Sequence, residues 1–92
     1  MSQVTRNYII AYDISDTKRL ARVARYLTKE SMRIQYSIYY LPRVSVHRLT
    51  AIATELSELI NKEEDDLRIY TIKRKGYRAG IAVDLAHPFI IT

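Results

Sequence analysis

The run Thr5-Arg6-Asn7-Tyr8-Ile9-Ile10-Ala11-Tyr12-Asp13 constrains this chain most, because it is apolar on both faces of a strand. Strand side chains alternate, so Tyr8, Ile10 and Tyr12 share one face while Ile9, Ala11 and Asp13 share the other. Such a strand belongs in the middle of a sheet and needs cover on both sides. It ends on a carboxylate and runs into a helical pattern. Leu20, Val23, Ala24 and Leu27 follow the spacing of a buried stripe, and Lys18, Arg22, Arg25 and Lys29 repeat on another face with no acidic residue between them. The spacing predicts a helix over 16–29, its first-turn amides capped by Ser15 or Asp16.

The segment 33–41 alternates again. Ile34, Tyr36, Ile38 and Tyr40 form its apolar face, and Arg33, Gln35, Ser37 and Tyr39 a polar-aromatic one. Pro42 interrupts the pattern, and no Asn-Gly turn shows whether 33–44 is one bent strand or two. Ser45 caps a second helix with the stripe Leu49, Ile52, Ala53, Leu56, Leu59 and Ile60. Glu63–Asp66 reads as an acidic loop, and 67–73 as a strand with Leu67, Ile69 and Thr71 opposite Arg68, Tyr70 and Ile72. Two short apolar pieces follow, 81–85 and 89–91, separated by His87-Pro88. This order predicts an α+β sandwich of ferredoxin-like βαββαβ type with added C-terminal strand structure. Helices cover one sheet face. The other face carries Ile9, and a second copy of the chain is its simplest cover.

Ninety-two residues make one domain, 1–92, with no room for a second core. The absence of cysteine excludes disulfides and thiolate metal sites. The N-terminus has no signal-peptide pattern and the apolar 8–12 stretch is too short to span a bilayer, so the chain reads as soluble and cytoplasmic with no membrane partner. The net charge is +5, and the excess sits in the first half. There Arg6, Lys18, Arg19, Arg22, Arg25, Lys29, Arg33, Arg43 and Arg48 face only Asp13, Asp16 and Glu30. A second basic run, Lys73-Arg74-Lys75 with Arg78, follows the acidic loop. Clustering of one sign favours a polyanion, nucleic acid first among them.

The catalytic inventory is short. His47 and His87 lack a nearby histidine or carboxylate at helical ligand spacing, and there is no cysteine nucleophile, Gly-rich phosphate loop or GxSxG. The RNA-recognition sheet signature is also missing. Asp13 remains. It is either a helix-start residue satisfying backbone amides or a metal ligand at a strand end. One carboxylate makes a poor site for a divalent cation. A twofold dimer whose axis passes near this strand end brings two copies together. Lys18, Arg19, Arg22, Arg25, Lys29, Arg33 and Arg43 are the candidate phosphate contacts. Tyr39 offers a ring to stack on a base or pack against a neighbouring chain, whereas Tyr36 and Tyr40 read as core.

Three blocks then resemble a known family, the CRISPR-associated "Cas-two" proteins of spacer acquisition. They are Tyr12-Asp13-Ile14-Ser15-Asp16 with the Arg19-Leu20-Ala21-Arg22-Val23 helix, Arg33-Ile34-Gln35-Tyr36-Ser37-Ile38-Tyr39, and Asp65-Asp66-Leu67-Arg68-Ile69-Tyr70. The resemblance implies a homodimer whose C-terminal strand, about 87–92, packs on the partner's sheet. It implies a divalent metal, Mg²⁺ or Mn²⁺, at Asp13, and catalytic roles for Asp13, Arg22, Arg33 and Tyr39. The implied activity is metal-dependent endonuclease cleavage of single-stranded RNA or double-stranded DNA, together with bridging of the CRISPR integrase. The alternatives it leaves are a non-catalytic DNA-binding adaptor and a related toxin-type ribonuclease. Two positions depart from the family pattern. Ser31 stands where glycine is usual, which requires a rebuilt turn if that position needs positive φ, and Tyr39 stands where phenylalanine is usual.

Overall fold

The computed structural model describes residues 4–72, 79–84 and 89–90. The elements are β1 (Thr5–Asp13), α1 (Thr17–Glu30), β2 (Met32–Gln35), β3 (Ile38–Ser45), α2 (Val46–Leu59), β4 (Asp66–Ile72), β5 (Ala79–Asp84) and β6 (Phe89–Ile90). One antiparallel sheet holds all the strands in the order β2-β3-β1-β4-β5-β6. Its first four members are the ferredoxin-like arrangement, with the hairpin β2–β3 on one side of β1 and β4 on the other. In the single chain Phe89–Ile90 pairs on β5, extending the chain's own sheet.

Each helix starts where its cap residue can accept a first-turn amide. Asp16 accepts from the Arg19 amide at 2.9 Å, and Ser45 accepts from Arg48 at 3.0 Å. Both helices press onto one sheet face. Val23 and Leu27 from α1 and Leu49, Ile52 and Leu56 from α2 meet Tyr8, Ile10 and Tyr12 of β1, Tyr39 and Leu41 of β3, and Leu67 and Ile69 of β4. Every β1 member of this core has the same parity, so the helices lie on one side. Ile9 and Ala11, on the opposite face, are only partly buried. The strand is central, and within one protomer it is covered on one side.

The hairpin overturns the expected face of residues 34–40. Ile34 is 54% exposed and Tyr36 is 83% exposed, whereas Tyr39 has no exposed surface. Alternation could not decide the matter, because Tyr39 and Leu41 are as bulky as Ile38 and Tyr40, and either set can line a core. A two-residue turn at Tyr36-Ser37 and a register shift between Arg33 and Gln35 divide the segment into two strands. Ser37 adopts φ 65° there, a left-handed conformation that serine takes only at some cost. The Tyr39 ring stacks with Tyr12 at 6.1 Å between centroids.

Ser31 resolves differently from its glycine-like expectation. Its backbone is extended, with φ −150° and ψ 178°, so the position needs no glycine. Its hydroxyl and its amide both donate to the Leu27 carbonyl, at 2.7 and 2.8 Å, and close the end of α1. A bulge marks the other end of the sheet, where the β1–β3 register shifts between Arg6 and Tyr8. Arg43 sits in it at φ 47°, its amide donating to Asn7 Oδ1 at 2.8 Å.

Burial pushes the Tyr12 phenol up to about 12, with the neighbouring Tyr39 adding to the shift and Arg33 opposing it. We assign the rise mainly to burial, since the Tyr39 hydroxyl has no hydrogen-bond partner among the described residues. An ionised phenol is disfavoured in the folded state, so this contribution to stability is complete below the unfolded value of about 10. It is lost as pH rises from there through 12. The expected outcome is a tyrosine absorbance titration near 295 nm with a late-ionising phase that is smaller in Tyr12→Phe, the partly buried Tyr26, also raised, supplying the remainder. A Tyr12→Phe protein with an unchanged titration counts against the assignment.

Candidate functional site at the end of β1

Asp13 is exposed, and none of the ion pairs among the described residues uses it. The helix-start role that competes for this residue belongs to Asp16. Asp13 lies opposite Asp66 in the β1–β4 register, and Ala11 lies opposite Arg68. Residues directly opposed across an antiparallel pair project from the same face with Cα atoms about 4.5–5.5 Å apart. Two carboxylates therefore stand side by side on the face the helices leave open. Arg68 Nε holds Asp66 Oδ1 at 3.2 Å. Like charges in this position destabilise a sheet; a cation held there would offset that repulsion, and the two carboxylates are hard oxygen donors of the type Mg²⁺ or Mn²⁺ takes, although among the described residues no third such side chain joins them.

Asp66 and Arg68 were missed from the sequence because they lie far along the chain. The signal was present. In a ferredoxin-like sheet β4 runs antiparallel to β1, so the residue that starts β4 must neighbour the residue that ends β1.

Arg19, a candidate phosphate contact in the sequence, is engaged instead by carboxylates of the chain itself. Its Nε donates to Asp65 Oδ2 at 2.8 Å and its Nη2 to Asp65 Oδ1 at 3.2 Å and to Glu64 Oε1 at 2.9 Å. The Asp65 side chain is fully buried, and Oδ2 also accepts the Asn61 amide at 2.8 Å. Burial raises this carboxyl, but the Arg19 guanidinium and the Asn61 amide outweigh it and hold the group below the usual carboxylate range. Arg19 is correspondingly held above the usual arginine value, chiefly by Asp65. The acidic loop thus contains a structural clamp. It ties the first turn of α1, just after Asp13, to the residue just before Asp66.

The other basic residues of α1, Lys18, Arg22, Arg25 and Lys29, are exposed as expected. Arg33 is also exposed and rests its guanidinium carbon 4.8 Å from the Tyr36 ring centre. Arg43 is exposed beside Asn7, six residues from Asp13 along β1, or roughly 20 Å at the usual strand rise. It does not join the Asp13 end. Tyr39 cannot stack on a base as expected, because its ring is sealed in the core. His47 is exposed. His87 and the run Lys73-Arg74-Lys75 lie outside the described residues.

The helix-backed sheet, open on its other face, places the chain in the class of small ferredoxin-like α+β proteins, here with carboxylates at the central strand end and a basic first helix. A family model described as CRISPR associated protein Cas2 matches residues 6–79. The chain belongs to that family. It is 39% identical over 79 residues to the CRISPR-associated endoribonuclease Cas2 1 of Nitrosomonas europaea, covering 86% of this chain and 74% of that protein. It is 37% identical to the CRISPR-associated endoribonuclease Cas2 2 of Thermodesulfovibrio yellowstonii, covering 83% and 82%. A crystal structure of the hypothetical protein TT1823 from Thermus thermophilus superimposes with a TM-score of 0.73 at 26% identity, covering 88% of this chain and 99% of that one. Streptococcus pyogenes Cas2 gives 0.68 at 23% identity over 75% and 88%, a likeness of fold. Among the described residues no helix is long and apolar enough to cross a membrane.

Proposed function

We propose that this protein is a metal-dependent endonuclease of a CRISPR system, acting as a homodimer on RNA or DNA. The observation that carries the reading is Asp13, an exposed carboxylate without an ion-pair partner among the described residues, opposite a second carboxylate. Its curated relatives are named endoribonucleases, which favours phosphodiester hydrolysis over DNA binding alone. Asp13 and Asp66 are the residues that would hold Mg²⁺ or Mn²⁺. When bound, the ion polarises a phosphoryl oxygen and lowers the pKa of a coordinated water. Arg22 and Arg33 neutralise phosphate charge, and Arg68, already oriented by Asp66, adds a third guanidinium. The exposed stripe of α1 tracks the backbone.

A second copy explains two features together. The open face presents Ile9, Ala11, Ile38, Tyr40 and Tyr70 only partly buried, an apolar surface that a symmetric partner would cover. The same symmetry doubles the carboxylates at the strand end. Docking of an integrase, and spacer insertion in the cytoplasm of the cell, complete this reading. The adaptor alternative keeps the DNA contacts and discards cleavage.

Placing a charge on the open face tests the arrangement. Ile9→Glu is expected to sediment as a monomer where the parent sediments as a dimer. Its metal-dependent cleavage is expected to fall by about 100-fold, since each monomer retains half of the ligands. A monomeric variant that cleaves at the parental rate removes the shared-site reading. Parental duplex binding with no cleavage by the unmodified protein supports the adaptor instead.

A further inference from the structure

The β2–β3 turn carries the most exposed large aromatic residue of the described part, and nothing in the core accounts for it. Tyr36 is 83% exposed. Its ring contacts the Arg33 guanidinium, 4.8 Å from the ring centre, and the ring pair found among the described residues is Tyr12–Tyr39, deep in the core. The turn is anchored at the end of the sheet that bears Asp13. The Tyr12 amide donates to the Ser37 carbonyl at 3.1 Å, one residue before Asp13 and one after Tyr36. Ser37 at φ 65° turns the chain so that Tyr36 sits at the tip.

We propose that Tyr36, backed by Arg33, is a stacking platform for an unpaired base of single-stranded nucleic acid beside the Asp13 end of the sheet. Every base has a π-face, so a flat, solvent-facing ring accepts bases without regard to sequence. Arg33 steadies the ring by its cation–π contact and carries positive charge to the adjoining phosphate. The exposed Lys18, Arg22, Arg25 and Lys29 supply the polyanion attraction. The bases of an intact duplex are stacked on one another and do not reach such a ring, so the platform selects single strands, loops or frayed ends. A protein segment pairing along the edge of β2, beside exposed Met32 and Ile34, is the competing occupant. The basic surroundings favour the nucleic acid. The inference deepens the nuclease reading by naming its substrate form, and it rests on that reading only for what the bound strand undergoes.

The chain contains no tryptophan, so Tyr36→Trp creates a single fluorescent reporter. The probe is a single-stranded 12-nucleotide oligouridylate in buffer containing EDTA, where binding is read without cleavage. The expected results are quenching of the Tyr36→Trp protein on binding, and a loss of affinity between about fivefold and a hundredfold in Tyr36→Ala. The slope of affinity against salt is expected to stay unchanged in Tyr36→Ala, because stacking releases no counterions. Tyr36→Phe keeps parental affinity, and a blunt duplex of equal length binds Tyr36→Ala and parent alike. Undiminished affinity of Tyr36→Ala for the oligouridylate, or no quenching at saturation, overturns the platform. If Tyr36→Ala also cleaves normally with metal, the platform falls while the nuclease reading stands. If quenching occurs but no metal yields cleavage, the platform stands and the nuclease reading falls.

Discussion

Asp13→Asn is expected to stay a folded dimer and to lose about 10²–10³-fold or more in metal-dependent cleavage, the scale for removing one group that stabilises developing charge. The substitution preserves size and hydrogen-bonding capacity while removing the charge that attracts a divalent cation. It also removes the repulsion between Asp13 and Asp66 across the β1–β4 pair. Without metal, the variant should therefore melt slightly higher than the parent, by the few tenths of a kcal/mol that opposed like charges cost. With millimolar Mg²⁺ or Mn²⁺ the order should reverse, since the ion stabilises only the protein that binds it. Melting curves with and without metal, beside a gel assay on a labelled oligonucleotide, separate ligand from cap. Parental cleavage by a rigorously purified Asp13→Asn protein sinks the catalytic role. In a dimer, two Asp13 carboxylates roughly 4–6 Å apart suit one shared ion with oxygen ligands just over 2 Å away.

The second large effect is on stability. Replacing Arg19 by methionine leaves the Asp65 carboxylate buried without its cation, and uncompensated buried charges are among the costliest single changes. A fall of about 10 °C or more in melting temperature is expected for a domain of this size. Asp65→Asn should be milder, because the amide stays neutral and its oxygen still accepts the Asn61 amide. The acid limb distinguishes them further. The Asp65 carboxyl is lowered in the folded state, so its contribution is present above the unfolded value of about 3.9. It disappears as pH falls through the lower folded value. Stability measured from pH 6 to 2 should fall less steeply in Asp65→Asn than in the parent. Equal melting temperatures for Arg19→Met and parent reduce the clamp to a surface contact.

Much of this fold was legible in the residues. The two-sided apolar pattern of 5–13 identified the central strand, and the stripes on both helices identified the elements that bury one face of it. The hairpin was not legible, because its two alternating sets are both bulky, and the choice between them is made by packing against α1 and β1. Asp13 was recognisable as the candidate carboxylate. That it is not the cap followed only from Asp16 bonding the Arg19 amide. The α1 stripe of Lys18, Arg22, Arg25 and Lys29 is solvent-facing as its spacing implies, but Arg19 beside it turns toward Asp65, 46 residues away. Side-chain pairing over such a separation depends on how the α2–β4 loop closes, and no local spacing encodes that. Asp66 was recoverable from topology alone, whereas the exposure of Tyr36 was not.

Among the described residues the buried Tyr39 hydroxyl has no hydrogen-bond partner, at the position where the family resemblance leads to an expectation of phenylalanine. Tyrosine and phenylalanine codons differ by one base, so a lineage can move between them in a single step. An unmatched hydroxyl in a core costs on the order of 1–3 kcal/mol, a large part of the margin by which a small domain stays folded. Replacement by phenylalanine would widen the range of further mutations this chain can survive, while leaving the carboxylates of Asp13 and Asp66 untouched.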